Sequence, residues 1–331
     1  MPHSELKPLE SLELDLAQLA AEFPPLWKHD LKQWVFDQVQ SRGATPAGTL
    51  SYSRWALAEL PKTLGNHVCQ VQVETEFYTY QDQGQHIWHV NFADPNLFVA
   101  YGSELLAQDE LQVLEHPLLG SLRELLLARH LPARTRLLDA SHASTPVLMA
   151  GVPRQCALDT YPDEFQGRPH GLYGRNFRQS NRETIGQALE ILDPPTVTNL
   201  IAIAAPSSGS DLYTEAQITD ILGTAYTAMR AAVQTSSRIS QATVIHTGFW
   251  GCGAFGGNRV LMTALQLLAA RLAELPHLVF HLGSQAEVFP FEEGRALLER
   301  LYRGATPSTP VSEIIDSLVA LRFHWGKSDG N

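Results

Sequence analysis

Two short stretches of this chain carry residue types that do chemistry. The first is Gln108-Asp109-Glu110, two consecutive carboxylates at the start of an acidic helix that reads from about Leu105 to Glu115. Neighbouring carboxylates repel, and burial in a helix raises the pKa of one of them, so such a pair can supply a neutral acid. The same pair in a first helical turn also complements the helix dipole with no further role. The second stretch is Thr247-Gly248-Phe249-Trp250-Gly251-Cys252-Gly253-Ala254-Phe255-Gly256-Gly257-Asn258. An apolar strand, Ala242 to His246, leads into it, and a periodic helix from Arg259 to about Glu274 follows. Five glycines between a strand and a helix leave backbone N–H groups bare and open to an anion, and the helix start adds a positive dipole end. The stretch is a candidate phosphate-binding loop, or a tight turn whose glycines only permit close packing. No Gly-Lys-Ser/Thr closes it as in a P-loop, and it lacks the Gly-x-Gly-x-x-Gly pattern followed by an acidic strand end.

The elements around these stretches predict an α/β chain. Residues 1–66 read as a helical N-terminal extension, with helices over Leu9–Phe23, Trp27–Val39 and Ser53–Leu60 and breaks at Pro24-Pro25 and Pro61. Residues 67–331 read as a second unit. Strands are expected over Val68–Tyr80 and His86–Phe92, joined by a turn at Gln83-Gly84, then helices at Leu105–Glu115 and Leu118–His130. Pro146–Val152 reads as a strand. Asp159–Asn181, rich in proline and glycine, reads as a long loop of the kind that is usually functional or mobile. A helix over Glu183–Leu192, a continuous apolar strand over Thr196–Ala205 and a helix over Thr214–Val233 precede the glycine loop. The strand Leu278–Leu282 and helices at Glu292–Tyr302 and Val311–Phe323 close the chain. Strands alternating with helices, the later strands wholly apolar, predict a three-layer α/β/α domain around a largely buried mixed sheet.

Composition bounds the function. With 331 residues there is ample length for a core. A net charge of −11 argues against binding to nucleic-acid backbone or anionic membrane, both of which need a basic face. Cys69, Cys156 and Cys252 are far apart, so neither a zinc ribbon nor a disulfide framework is expected. His86 and His89 on one strand face opposite sides, which disfavours joint metal ligation. Neither a metal nor a cofactor is called for. Without a leader-like N-terminus or a run of membrane-spanning length, a cytoplasmic protein is expected.

Trp250-Gly251-Cys252-Gly253-Ala254-Phe255-Gly256-Gly257 resembles the C-terminal signature of the poly(ADP-ribose) glycohydrolases. That family usually has Thr-Gly-Asn ahead of the tryptophan and an aspartate at the end, where this chain has Phe249 and Asn258. The family's catalytic signature is a triple glycine followed shortly by Gln-Glu-Glu, after a Val-Asp-Phe-Ala-Asn strand. Here Val90-Asn91-Phe92-Ala93-Asp94 and Gln108-Asp109-Glu110 stand at the family's spacing, with Phe98-Val99-Ala100 at the glycine positions. The family's adenine-side tyrosine falls near Leu158, with Tyr161 close by, and its final aromatic becomes Leu282. The resemblance covers roughly residues 67–325 and is strongest over 242–283.

The resemblance implies a macrodomain-like core with extra helices and cleavage of the ribose–ribose O-glycosidic bond of poly(ADP-ribose). Glu110 would be general acid and then base, and Asp109 would orient a ribose hydroxyl. Phe92, Asp94 and Gln108 would line the ligand. The backbone of Gly251, Cys252, Gly253, Ala254, Phe255, Gly256 and Gly257 would hold the diphosphate. The partner would be ADP-ribose or an ADP-ribosylated protein or polymer, with no metal required. Glycine lets backbone approach a ligand closely, whereas Phe98 and Val99 bring bulk expected to fill space left to ribose and phosphate. Three readings stay open: an ADP-ribosyl glycohydrolase, a non-catalytic ADP-ribose-binding macrodomain, and an interaction protein on the same fold.

Overall fold

Period-two alternation, not helical spacing, governs the start of the chain. In the computed structural model, which describes residues 5–330 apart from 81–83, 85, 207, 208, 210 and 238–240, Pro8–Asp15 is strand β1. Leu12 and Leu14, expected on a helix, alternate with Ser11, Glu13 and Asp15, as a half-buried strand requires. They pair with Tyr52 and Leu50 of an antiparallel strand β2, Thr49–Trp55, where a helix over Ser53–Leu60 was expected. Only the second half of the expected Leu9–Phe23 helix forms, as α1, Leu16–Glu22, capped by Asp15, which accepts a hydrogen bond from Gln18 N at 2.8 Å. α2 spans Asp30–Arg42. The segment read as a helical extension thus supplies two strands and two helices, and β2 pairs onward with β5, Val147–Leu158.

The eight strands form one mixed sheet in the order β1-β2-β5-β6-β4-β7-β8-β3. β3 is Gln70–Glu74, β4 Ile87–Phe92, β6 Leu189–Ile203, β7 Val244–Gly248 and β8 His277–His281. β1, β2, β5 and β6 are antiparallel neighbours, while β6, β4, β7, β8 and β3 run parallel. The strand expected over Val68–Tyr80 shrinks to β3, and the turn expected at Gln83-Gly84 falls on Gln83, outside the described residues. The expected Glu183–Leu192 helix stops early. α5, Arg182–Ala188, gives way at Leu189 to β6, whose first residues are held by pairing with Leu158, Ala157 and Cys156.

Helices cover both faces. α1, α2 and α5 lie with α3, Gln108–Glu115, and α4, Leu118–Ala128, against one side of the sheet, where Val147, Met149, Leu200 and Ala202 are buried. α6, Glu215–Ser236, α7, Arg259–Leu272, α8, Val288–Tyr302, and α9, Val311–Ala320, cover the other side, over Leu148, Ile201 and Ile203. Successive strand residues entering opposite cores are the signature of a three-layer α/β/α sandwich, as expected. β4, β6, β7 and β8 end on one edge, at Phe92, Ile203, Gly248 and His281. Parallel sheets place ligand crevices at such carboxyl ends. Among the described residues no helix is long and apolar enough to cross a membrane.

Candidate active site

α3 opens at Gln108, so Asp109 and Glu110 fall in its first turn, where they complement the dipole. Both are nonetheless buried, Asp109 at 7% exposure and Glu110 at 4%, which solvated capping residues would not be. Glu110 Oε2 accepts a hydrogen bond from Ala107 N at 3.0 Å. Asp109 Oδ1 accepts one from Asn91 Nδ2 at 3.1 Å. Burial pushes the Asp109 carboxyl well above the usual range, and the neighbouring Glu110 charge adds to the rise. Burial also raises Glu110, against the pull of the Lys32 ammonium and the amides of Glu110 and Ala107. The site therefore holds a carboxyl that keeps its proton above ordinary carboxylate pH.

The glycine loop leaves β7 and closes on itself before α7. Gly257 N donates to Gly251 O at 2.9 Å and Gly256 N to Gly253 O at 3.0 Å. Trp250 is buried, and its indole Nε1 donates to Ile203 O at 3.0 Å, fastening the loop to the end of β6. Gly251 sits at φ +74, and a Cβ there would lie 2.5 Å from Ala205 Cβ. That position needs glycine twice over, for conformation and for space. The amides of Gly251, Gly253, Ala254 and Phe255 form no hydrogen bond among the described residues. Unpaired amides in such a turn are receptive to an anion. Asn258 takes the N-cap of α7, accepting from Leu261 N at 3.1 Å. An aspartate would do the same, so this departure from the family pattern preserves the cap.

Two cavities meet here. The smaller, about 230 Å³, is lined by Phe92, Asp94, Gln108, Asp109 and Glu110 on one side and Gly251, Gly253, Ala254 and Phe255 on the other. The larger, about 670 Å³, has walls of Phe77, Tyr161, Phe249, Leu158 and Leu282, with the Arg154–Glu115 ion pair of 2.9 Å at its edge. Phe92, Gln108, Tyr173, Gly253 and Asp329 line both. Three of the residues expected at the ligand stand back from these walls. The Cys252 side chain is buried, with Sγ directed at Trp250 O, Gly257 packs behind Gly251, and Gly256 is covered by residues 326–328. That C-terminal segment crosses the loop. A Cβ on Gly253 would come 3.0 Å from Asp329 Oδ2, so the Asp329 carboxylate sits at the mouth of the unpaired amides.

The loop at the triple-glycine positions departs from expectation. Phe98 does hold the left-handed backbone a glycine would take, at φ +56. Its ring, however, is fully buried in the core on the α3 and α4 side of the sheet, away from the cavity. Only Val99 and Ala100 reach the cavity wall. The aromatic bulk expected in the ligand space is therefore absent from it.

Tyr173 and Lys32 escape a reading by motif, and the partners of Asn91 and Asp94 go beyond one. Tyr173, from the long loop after β5, accepts from Gln108 N at 3.1 Å and stacks on Phe77. Asn91 and Asp94 exchange the family's aspartate and asparagine. Asn91 donates to Asp109 and to Gln112, and Asp94 folds its carboxylate onto Asn96 N at 2.7 Å. Lys32 reaches the site from α2, fully buried. Its signal was a lysine at the 32, 35, 39 stripe of a helix, a core position.

A family model described as poly (ADP-ribose) glycohydrolase (PARG), macro domain fold, matches residues 59–288. Among solved structures the chain is similar to the poly(ADP-ribose) glycohydrolase of Thermomonospora curvata, at 16% identity over 82% of this chain and 97% of that one, with a TM-score of 0.45. It is also similar to the poly(ADP-ribose) glycohydrolase of Deinococcus radiodurans in complex with ADP-ribose, at 16% identity over 88% and 95%, with a TM-score of 0.44. With the family match spanning well over half of its length, this chain belongs to the poly(ADP-ribose) glycohydrolase family and has the macro domain fold.

Proposed function

We propose that this protein hydrolyses the O-glycosidic bonds of ADP-ribose chains or of ADP-ribosylated proteins, with Glu110 as the acid–base group. The observation that carries this reading is the shared cavity. The buried Asp109–Glu110 pair faces the unpaired amides of the glycine loop across one space. In this reading the diphosphate lies at Gly253, Ala254 and Phe255, where the Asp329 carboxylate now sits, and binding displaces the 326–330 segment. Adenosine takes the larger, aromatic-walled cavity and the far ribose the smaller one. Glu110 gives its proton to the leaving ribose oxygen as the glycosidic C–O bond breaks. Water then adds to the anomeric carbon and returns a proton to Glu110. Asp109, held by Asn91, orients a ribose hydroxyl. The diphosphate charge stabilises the oxocarbenium-like transition state. The burial of Phe98 away from the cavity supports hydrolysis over a non-catalytic binding module. A cytoplasmic location remains part of the proposal.

Gly253 provides the test of ligand placement. Gly253 does not occupy the left-handed region, so valine fits its backbone while pointing at the anion seat. ADP-ribose is expected to raise the melting temperature of the wild type and to leave that of Gly253→Val unchanged. Equal stabilisation of a folded Gly253→Val protein would remove the diphosphate from this loop.

A further inference from the structure

Lys32 is an anomaly of stability. Its side chain is fully buried, and among the described residues it makes no ion pair within 4.0 Å. A buried ammonium without a paired anion is costly, and methionine of similar length would fill the same space. The lysine is spent on backbone. Nζ donates to Tyr101 O at 2.7 Å and to Leu105 O at 2.6 Å. These carbonyls bracket the stretch between the cavity residues Val99 and Ala100 and the turn, Ala107, whose amide binds Glu110. The neighbours of Lys32 grip the same stretch. Lys28 N and His29 N both donate to Gly102 O, at 2.9 and 3.0 Å, and Leu26 N donates to the Tyr101 hydroxyl at 2.6 Å. A Cβ on Gly102 would fall 2.5 Å from Leu26 O, so the two segments pack backbone to backbone.

We propose that Lys32 is a positioning residue for the catalytic carboxyls: it clamps the 101–105 stretch from the N-terminal segment and sets a positive charge against Asp109 and Glu110. The inference rests on the proposed acid–base role of Glu110. Glu110 also feels Asp109 from its own helix, Asp94 from the turn after β4 and Tyr173 from the long loop, and Asp329 lines the same cavity. Of these groups Lys32 is the cation. Burial lowers its own pKa to about 8, with both carboxylates pulling the other way, so it carries charge at neutral pH. Without it the proton on Glu110 would be held to still higher pH and passed less readily to the leaving oxygen.

The test is the titration of Glu110, followed by carboxyl carbon NMR in wild type, Lys32→Met and Lys32→Arg, beside the pH profile of ADP-ribose release. Lys32→Met is expected to move the Glu110 midpoint up by about one unit, to carry the alkaline limb of kcat with it, and Lys32→Arg to restore most of both. A purely structural lysine would lower kcat and leave midpoint and limb in place; that result, in a folded variant, overturns the proposal. Should Lys32→Met fail to fold, the coupling is read from the other side, because linkage is reciprocal. Glu110→Gln should then lower the Lys32 ammonium midpoint below its wild-type value, and an unchanged midpoint overturns the proposal. These titrations need no turnover. A protein that shows the coupling but releases no ADP-ribose contradicts the hydrolase reading alone.

Discussion

At the scale of single residues, the candidate site keeps two carboxyls out of water. Asp109 is the more extreme, raised first by burial and then by Glu110, with the Asn91 amide opposing. A folded pKa above the unfolded one contributes stability that is full below about pH 4, the ordinary aspartate value, and is lost as pH rises through the raised value. Asp109→Asn removes that loss and keeps an acceptor for Asn91 Nδ2. The variant is expected to melt above wild type at pH 8, with the difference shrinking towards pH 5, as is common where function is built at the expense of stability. A variant less stable at pH 8 than at pH 5, relative to wild type, would mean that Asp109 is ionised at little cost. Asp109 and Glu110 were singled out in the sequence through their place in the family pattern, since two carboxylates in a first helical turn fit a dipole role equally well. Lys32 and Tyr173 were not, since each arrives from a different element and no spacing links them; Asn91 stood in the motif over residues 90–94, but its bond to Asp109 could not be read there. Only a lysine on a buried stripe hinted at the first.

Among the elements, the loop at the triple-glycine positions separates two effects that a motif merges. Phe98 bears backbone strain of about 1–2 kcal/mol at positive φ, but its buried ring is worth about 3–5 kcal/mol on deletion. Burial of the ring outweighs the strain. Phe98→Gly is expected to lose roughly 2 kcal/mol or more of stability with no gain in hydrolysis. Val99→Gly, at the cavity wall, should cost little stability and leave ADP-ribose release equal or faster. Melting curves and release assays on the two variants decide it. A gain from Phe98→Gly alone would return the aromatic ring to the ligand space. The same distinction explains what the chain concealed about its elements. The glycine loop and its flanking strand and helix were legible because β7 and α7 have clean periods and abrupt ends. β1 was not, because Leu12, Leu14 and Leu16 fit either period until Tyr52 and Leu50 supply the partner strand. β5 extends through Leu158 past the expected end at Val152, since pairing with β6 stabilises residues whose own pattern is mixed.

For the whole molecule, the layered fold was legible from alternating strands and helices, while the contacts between distant segments were not. The N-terminal segment grips the 101–105 stretch, and the C-terminal segment lies over the glycine loop. Both are consequences of tertiary packing between segments far apart in sequence. If Asp329 holds the diphosphate seat, deletion of residues 326–331 should tighten ADP-ribose binding by roughly tenfold, about 1.4 kcal/mol, while the Trp325–Tyr213 stack at 4.1 Å keeps the preceding chain in place. Calorimetric titration checks this, and weaker binding by the truncated protein would make the segment part of the ligand site. The claim at the centre of the account is that the two adjoining cavities bind ADP-ribose and that Glu110 cleaves its chain there. Its most direct test is single-turnover release of ADP-ribose from poly(ADP-ribose) by wild type and Glu110→Gln, with ADP-ribose affinity measured on both. The account predicts matched affinities and release slowed at least about a hundredfold in the variant. Equal release rates would contradict it, as would the absence of any release by a wild type that binds ADP-ribose.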